Sequence, residues 1–122
     1  MNNQKAGRFA RPAFGADMEE EDAMVLKKTA VAGTLESSDV MVTVTPNPGR
    51  GVEIELESEV KAAFGAAIEA VARRELELAG VEDAHLLLRD KGALDCVISA
   101  RVRCALYRAA EAAYDWTRED AL

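Results

Sequence analysis

The chain has 122 residues, 49% of them hydrophobic, which allows one modest core and is too short for two ordinary domains. A formal net charge of −7 and a sequence pI near 4.8 oppose the basic footprint needed to bind nucleic-acid backbones or anionic lipid surfaces. No apolar run approaches the roughly 20 residues of a bilayer-spanning helix, and the polar start MNNQKAGRFARP lacks a secretory apolar stretch, so the expected location is cytoplasmic, with no membrane partner.

Residues 1–24 combine Gly, Pro, Asn and scattered Lys and Arg with the acidic run Glu19-Glu20-Glu21-Asp22, without apolar periodicity. A flexible arm over 1–27 is expected, its acidic run a solvated tether rather than a docking tag. A single domain over 28–113 and a polar tail over 114–122 follow. The stretch AVAGTLESSDVMV, 30–42, then sets the adjacent hydroxyls of Ser37 and Ser38, flanked by Glu36 and Asp39, between an apolar run and a valine alternation.

Val40, Val42 and Val44 alternate with Met41, Thr43 and Thr45, a half-buried strand over 40–45 that Pro46-Asn47-Pro48-Gly49 stops. Val52, Ile54 and Leu56 alternate with Glu53, Glu55 and Glu57, predicting a second strand over 52–57 with an acidic, wet face. The link between the two runs is short enough for a hairpin. Ser58 and Glu59 offer a helix start. Val60, Phe64, Ala67, Ile68, Val71 and Leu78 form an apolar stripe, and Gly80 stands where a left-handed terminator belongs, so a helix is predicted over 59–79. His85-Leu86-Leu87-Leu88-Arg89 reads as a third strand, ended by Asp90-Lys91-Gly92. Ala93/Leu94, Val97/Ile98, Arg101/Val102 and Ala105/Leu106 recur every four residues, a second helix over 93–113; the alternation of Cys96, Ile98, Ala100 and Val102 leaves a strand over 94–102 as the second reading. The expected fold is α+β, one small domain with an antiparallel or mixed sheet and two helices packed on one face, in the order β-β-α-β-α.

Chemistry is sparse. Cys96 and Cys104, eight positions apart, fit neither a disulfide framework nor a thiolate metal site, and read as buried free thiols. His85 has no second histidine to share a metal, so no metal site is expected and a structural imidazole fits better. Ser37, His85 and Asp90 could be written as a hydrolytic triad, but nothing supplies a nucleophile elbow or an oxyanion hole. Gly49-Arg50-Gly51 is too short for a phosphate loop and suits a turn. Trp116 is either an interface anchor or a cap on the second helix.

The serine pair separates two kinds of carrier. In the bundle-type acyl and peptidyl carriers the modified serine opens a helix, whereas Thr34-Leu35-Glu36-Ser37-Ser38-Asp39 runs into a strand pattern. AVAGTLESSDVMV at 30–42 and DKGALDCVISARV at 90–102 resemble the citrate lyase acyl carrier family, over about Val31 to Ala110. The resemblance implies a non-catalytic carrier subunit whose serine after Leu-Glu, here Ser37, bears 2'-(5''-phosphoribosyl)-3'-dephospho-coenzyme A through a phosphodiester. The family often has glycine at the next position; this chain has Ser38, which makes Ser38 the alternative attachment point. Implied partners are the alpha (acyl transferase) and beta (citryl lyase) subunits, which act on acetyl and citryl thioesters, and the synthase that attaches the group. The malonate decarboxylase carrier is the closest rival. A lipoyl-type domain presenting Lys91, disfavoured by the helical stripe, and an adaptor without a prosthetic group are the readings from other classes.

Overall fold

The alternation that marks 40–45 as a strand is matched by burial: Val40, Val42 and Val44 are fully buried, while Met41, Thr43 and Thr45 between them are half-buried. The computed structural model describes residues 24–113. In chain order these form β1 (Ala30–Gly33), β2 (Val40–Pro46), β3 (Val52–Ser58), α1 (Lys61–Ala79), β4 (Ala84–Asp90) and α2 (Asp95–Ala110). The α+β class, the mixed sheet and the two helices agree with the expectation. The apolar run before the serines adds a strand at the start. The tail with Trp116 and the acidic run at 19–22 lie outside the described residues.

The sheet order is β1-β2-β4-β3. β1 and β4 each run antiparallel to β2, pairing Ala32 with Val42 and Leu88 with Val42, whereas β3 runs parallel to β4, pairing Ile54 with Leu86. The hairpin expected from the short link between β2 and β3 does not form: β4 lies between them. Burial explains the order, since Ala84, Leu86 and Leu88 of β4 are wholly buried and demand neighbours on both sides, while the Glu53-Glu55-Glu57 alternation suits a strand with one neighbour. A parallel pair needs a long crossover, and α1 provides it between β3 and β4. The link 47–51 is a turn, with Arg50 N–H on the Asn47 carbonyl at 3.0 Å and Gly51 N–H on Asp83 Oδ1 at 2.9 Å.

Both helices close one face of the sheet. α2 is a helix throughout 95–110, burying Ile98, Val102, Ala105, Leu106 and Ala109 at three- and four-residue intervals, so the strand alternative over 94–102 is excluded. α1 begins three residues later than Ser58, at Lys61. Ser58 instead ends β3, its hydroxyl accepting the Val60 N–H at 3.1 Å and donating to Asp90 Oδ2 at 2.9 Å. The buried face of α1 is rotated from the expected stripe: Gly65, Ile68, Ala72, Glu75 and Leu76 face inward, and Phe64, Ala67 and Leu78 are exposed. Gly65 faces β3, where a Cβ would stand in ordinary contact with Leu56 at 3.7 Å and closer, 3.3 Å, to the flexible Lys61 side chain. Gly80 ends α1 in the left-handed conformation, φ 76°, as its position predicts.

Two polar ties complete the packing. Glu75 of α1 accepts a two-pronged hydrogen bond from Arg103 of α2, 2.9 Å on each oxygen, and a further one from Ser99, all within the helix–helix seam. At the start of the described chain, Met24 bridges to Val81 and Leu26 is buried. Residues 24–27, placed in the arm from composition, therefore lie against the domain: Lys27 N–H binds the Ala109 carbonyl at 2.9 Å.

Candidate functional site

The loop between β1 and β2 holds both serines at one end of the sheet. Asp39 N–H closes a turn onto the Glu36 carbonyl at 3.1 Å, putting Ser37 and Ser38 at the two central positions. Ser38 has φ 68°, the left-handed value that the third residue of a type II turn requires and that glycine adopts without strain. Ser38 N–H is further bound to the Lys91 carbonyl at 2.8 Å, and Lys91 N–H returns a bond to the Asp39 carbonyl at 2.9 Å, which stitches the loop to the connection between β4 and α2. Both serines are exposed. Neither hydroxyl has a hydrogen-bond partner among the described residues, so each is free to be modified; what differs is the backbone beneath them.

Asp39 organises the loop. Arg101, reaching across from α2, donates to both carboxylate oxygens, Nε to Oδ1 at 3.0 Å and Nη2 to Oδ2 at 2.9 Å. The Thr34 hydroxyl donates to Oδ2 at 2.7 Å while accepting the Glu36 N–H at 3.2 Å, and Val40 N–H donates to Oδ1 at 2.7 Å. The Arg101 hydrogen bonds, assisted by those from Thr34 and Val40 and by the Arg101 charge, hold the Asp39 carboxyl down at about 2 against the opposing effect of partial burial. The same pairing pushes the Arg101 guanidinium above its ordinary value. Gly33 fits beneath this pair. With φ 95°, it lets the chain turn where any side chain would strike the Val40 carbonyl.

The Ser37-His85-Asp90 triple is not assembled. Asp90 is buried at the end of β4, accepting from Ser58 and from Ala93 N–H at 2.9 Å. His85 is the second residue of the same strand, five residues away or roughly 16 Å at strand rise. It pairs with Glu55 at 2.6 Å on the open sheet face, a structural role in keeping with the expectation. Among the described residues no cluster of His, Cys, Asp and Glu could hold a metal ion, and no helix is long and apolar enough to cross a membrane. Cys96 is exposed and Cys104 half-buried, so the expectation of two buried thiols fails at Cys96, which lies on the solvent side of the first turn of α2. Gly49-Arg50-Gly51 lies in the 47–51 turn, as its length predicts.

Sequence reasoning passed over Arg101, Thr34 and Gly33. A signal was present for Arg101: it occupies an apolar-stripe position of α2, and an arginine there calls for a carboxylate.

The acyl carrier protein family model described as ACP: Malonate decarboxylase delta subunit (MdcD) matches residues 27–109. The chain is 58% identical over 88 residues to the citrate lyase acyl carrier protein of Escherichia fergusonii, covering 72% of this chain and 91% of that one. It is 48% identical over 98 residues to the citrate lyase acyl carrier protein of Streptococcus equi subsp. zooepidemicus, covering 80% and 96%. Among solved structures, a chain of a Pseudomonas malonate decarboxylase hetero-tetramer in complex with malonate shares the fold, with TM-score 0.53 and 15% identity over 72% of this chain and 91% of that one. Acyl carrier proteins bear a covalently attached prosthetic group. On these matches the chain belongs to the citrate lyase acyl carrier protein family, and its role is that of a carrier subunit rather than a catalyst.

Proposed function

We propose that the protein is the acyl carrier subunit of a citrate lyase and that Ser37 is the covalent attachment point of 2'-(5''-phosphoribosyl)-3'-dephospho-coenzyme A. The observation that carries this reading is the geometry of the 34–39 loop: Ser37 projects from the corner of a turn whose next residue is already committed, by its positive φ and its N–H bond to Lys91, to a backbone role. That supports Ser37 over Ser38.

The residues present fit such a group. A serine hydroxyl is barely nucleophilic at neutral pH, and among the described residues no side chain is hydrogen-bonded to the Ser37 hydroxyl, so on this reading the modifying enzyme supplies the base and the carrier supplies an accessible oxygen on a fixed loop. When attached, the group supplies a thiol that keeps an acyl unit at high effective concentration near successive active sites. The protein's part is to present and orient. Its partners on this reading are the alpha and beta subunits of the lyase and the synthase that loads the arm, in the cytoplasm. Relatives at 48–58% identity named for citrate lyase favour this system over malonate decarboxylase, for which the solved structure supports the fold.

Intact mass of the protein isolated from its native host tests the reading, with peptide mass spectrometry to place the adduct. An adduct with the mass of that group, on Ser37, is expected. An adduct on Ser38 alone would move the attachment point, and unmodified protein in citrate-cleaving complexes would defeat the carrier reading. Ser37→Ala removes one exposed oxygen and should change stability by no more than about 0.5 kcal/mol, while citrate-dependent oxaloacetate formation falls to background and assembly persists. Ser38→Ala should retain most activity.

A further inference from the structure

We infer that Arg101 and Asp39 are positioning residues for the loading of Ser37, an inference that rests on Ser37 being the attachment point. Neither touches the Ser37 hydroxyl. Arg101 acts through Asp39, and Asp39 through the turn.

The loop 34–39 has little apolar anchorage, for Leu35 is exposed and Thr34, Glu36, Ser37 and Ser38 are polar and exposed. Its conformation depends on directed bonds. The Arg101 fork occupies both oxygens of Asp39, so the carboxylate cannot rotate, and Thr34 and Val40 N–H are aimed at the same two atoms. Asp39 is also the closing residue of the turn, its N–H on the Glu36 carbonyl. Fixing Asp39 therefore fixes the direction in which the corner residue, Ser37, points. α2 is the rigid body behind the latch, buried along Ile98, Val102 and Leu106, and Gly33 brings β1 close enough for the Arg101 stem to pass: a Cβ there would lie 3.3 Å from Arg101 Cδ.

An enzyme that forms a phosphodiester at Ser37 must align that oxygen with a phosphorus atom, and a misplacement of about 1 Å costs on the order of 100-fold in rate. Loss of the latch should therefore slow loading far more than it lowers stability.

The test follows loading of the full-length chain in its native host by intact mass over time, with peptide mapping, for wild type, Arg101→Ala, Arg101→Lys, Thr34→Val and Glu75→Gln. Glu75→Gln perturbs the buried α1–α2 tie without touching the loop and serves as the stability control. Loading of Arg101→Ala should fall about 100-fold, with Arg101→Lys intermediate because lysine restores the charge and one bond but not the fork. Glu75→Gln should load at the wild-type rate despite an equal or larger fall in melting temperature. The inference is overturned if folded Arg101→Ala loads Ser37 at the wild-type rate, or if Glu75→Gln slows as much as Arg101→Ala. Should Arg101→Ala not fold, Thr34→Val decides in the same way, slowed loading supporting the latch and unchanged loading refuting it. Wild-type protein without any adduct would instead strike down the assignment of Ser37 itself.

Discussion

Gly33 and the carbonyl of Val40 face each other so closely that a Cβ on residue 33 would stand 1.8 Å from the carbonyl oxygen. This is a backbone-to-side-chain collision that no rotamer relieves, and the φ of 95° at Gly33 is itself unfavourable for other residues. Gly33→Ala should therefore destabilise the domain by about 3 kcal/mol or more, read as a fall in urea midpoint. Gly49→Ala, also at positive φ but with open space around it, should cost about 1–2 kcal/mol. Equal losses at the two positions would show that the close approach to Val40 is unimportant.

Ser38 sits at φ 68° with a side chain that makes no hydrogen bond among the described residues. Ser38→Gly removes the left-handed penalty and gives back part of the gain as unfolded-state entropy, so a net stabilisation of up to about 1 kcal/mol is expected. In a domain of this size that is a rise of about 4–8 °C per kcal/mol in thermal melts. A lower melting temperature would mean that the Ser38 hydroxyl supports the loop.

The depressed carboxyl of Asp39 makes a pH-dependent contribution whose sign follows from its direction. With an ordinary value of 3.8 and a folded-state value of about 2, the contribution is fully present above pH 4 and is lost as pH falls through about 2. Wild type should be more stable than Asp39→Asn at pH 7, and the gap should narrow between pH 4 and pH 2. Melts of both proteins across that range check it. A gap that stays constant down to pH 2 would rule out the Arg101 pairing as its source.

Glu75 and Arg103 meet in the seam between α1 and α2, with side chains 3% and 10% exposed. Glu75→Ala takes away the carboxylate to which both Arg103 and Ser99 donate, and a loss of about 3–5 kcal/mol is expected. The exposed pair Arg89–Glu57, at 3.2 Å on the open sheet face, should be worth less than about 1 kcal/mol when Glu57 is replaced by Ala. Denaturant titrations of the two variants test the contrast, and a similar cost for both would contradict it.

The sequence made some of this legible because certain residues answer to one local rule. Val40, Val42 and Val44 could be only a strand with one face on a core, and Gly80 could be only a terminator. The hairpin failed because turn length says which strands may pair, whereas the choice of neighbour was made by Leu86 and Leu88, forty residues away. Helical spacing puts Phe64 on the apolar stripe of α1, yet the buried face runs through Gly65 and Ala72, because packing against the sheet and α2 sets the rotation of the helix and spacing alone does not. At the site, the serines were visible as an oddity of composition, but the latch was not. A bond between Asp39 and Arg101 spans 62 positions, and no periodicity reports it.

Among the described residues the sheet has an edge strand on each side, and such edges can recruit strands from other molecules. β1 offers only four residues at one side. β3 is longer at the other, but Glu53, Glu55 and Glu57 are exposed along it, Glu57 tied to Arg89 and Glu55 to His85, so a second copy arriving there meets a charged rather than an apolar strand. The glutamate alternation that first marked this segment as a strand is thus also the kind of edge dressing that disfavours strand-to-strand pairing with a second copy.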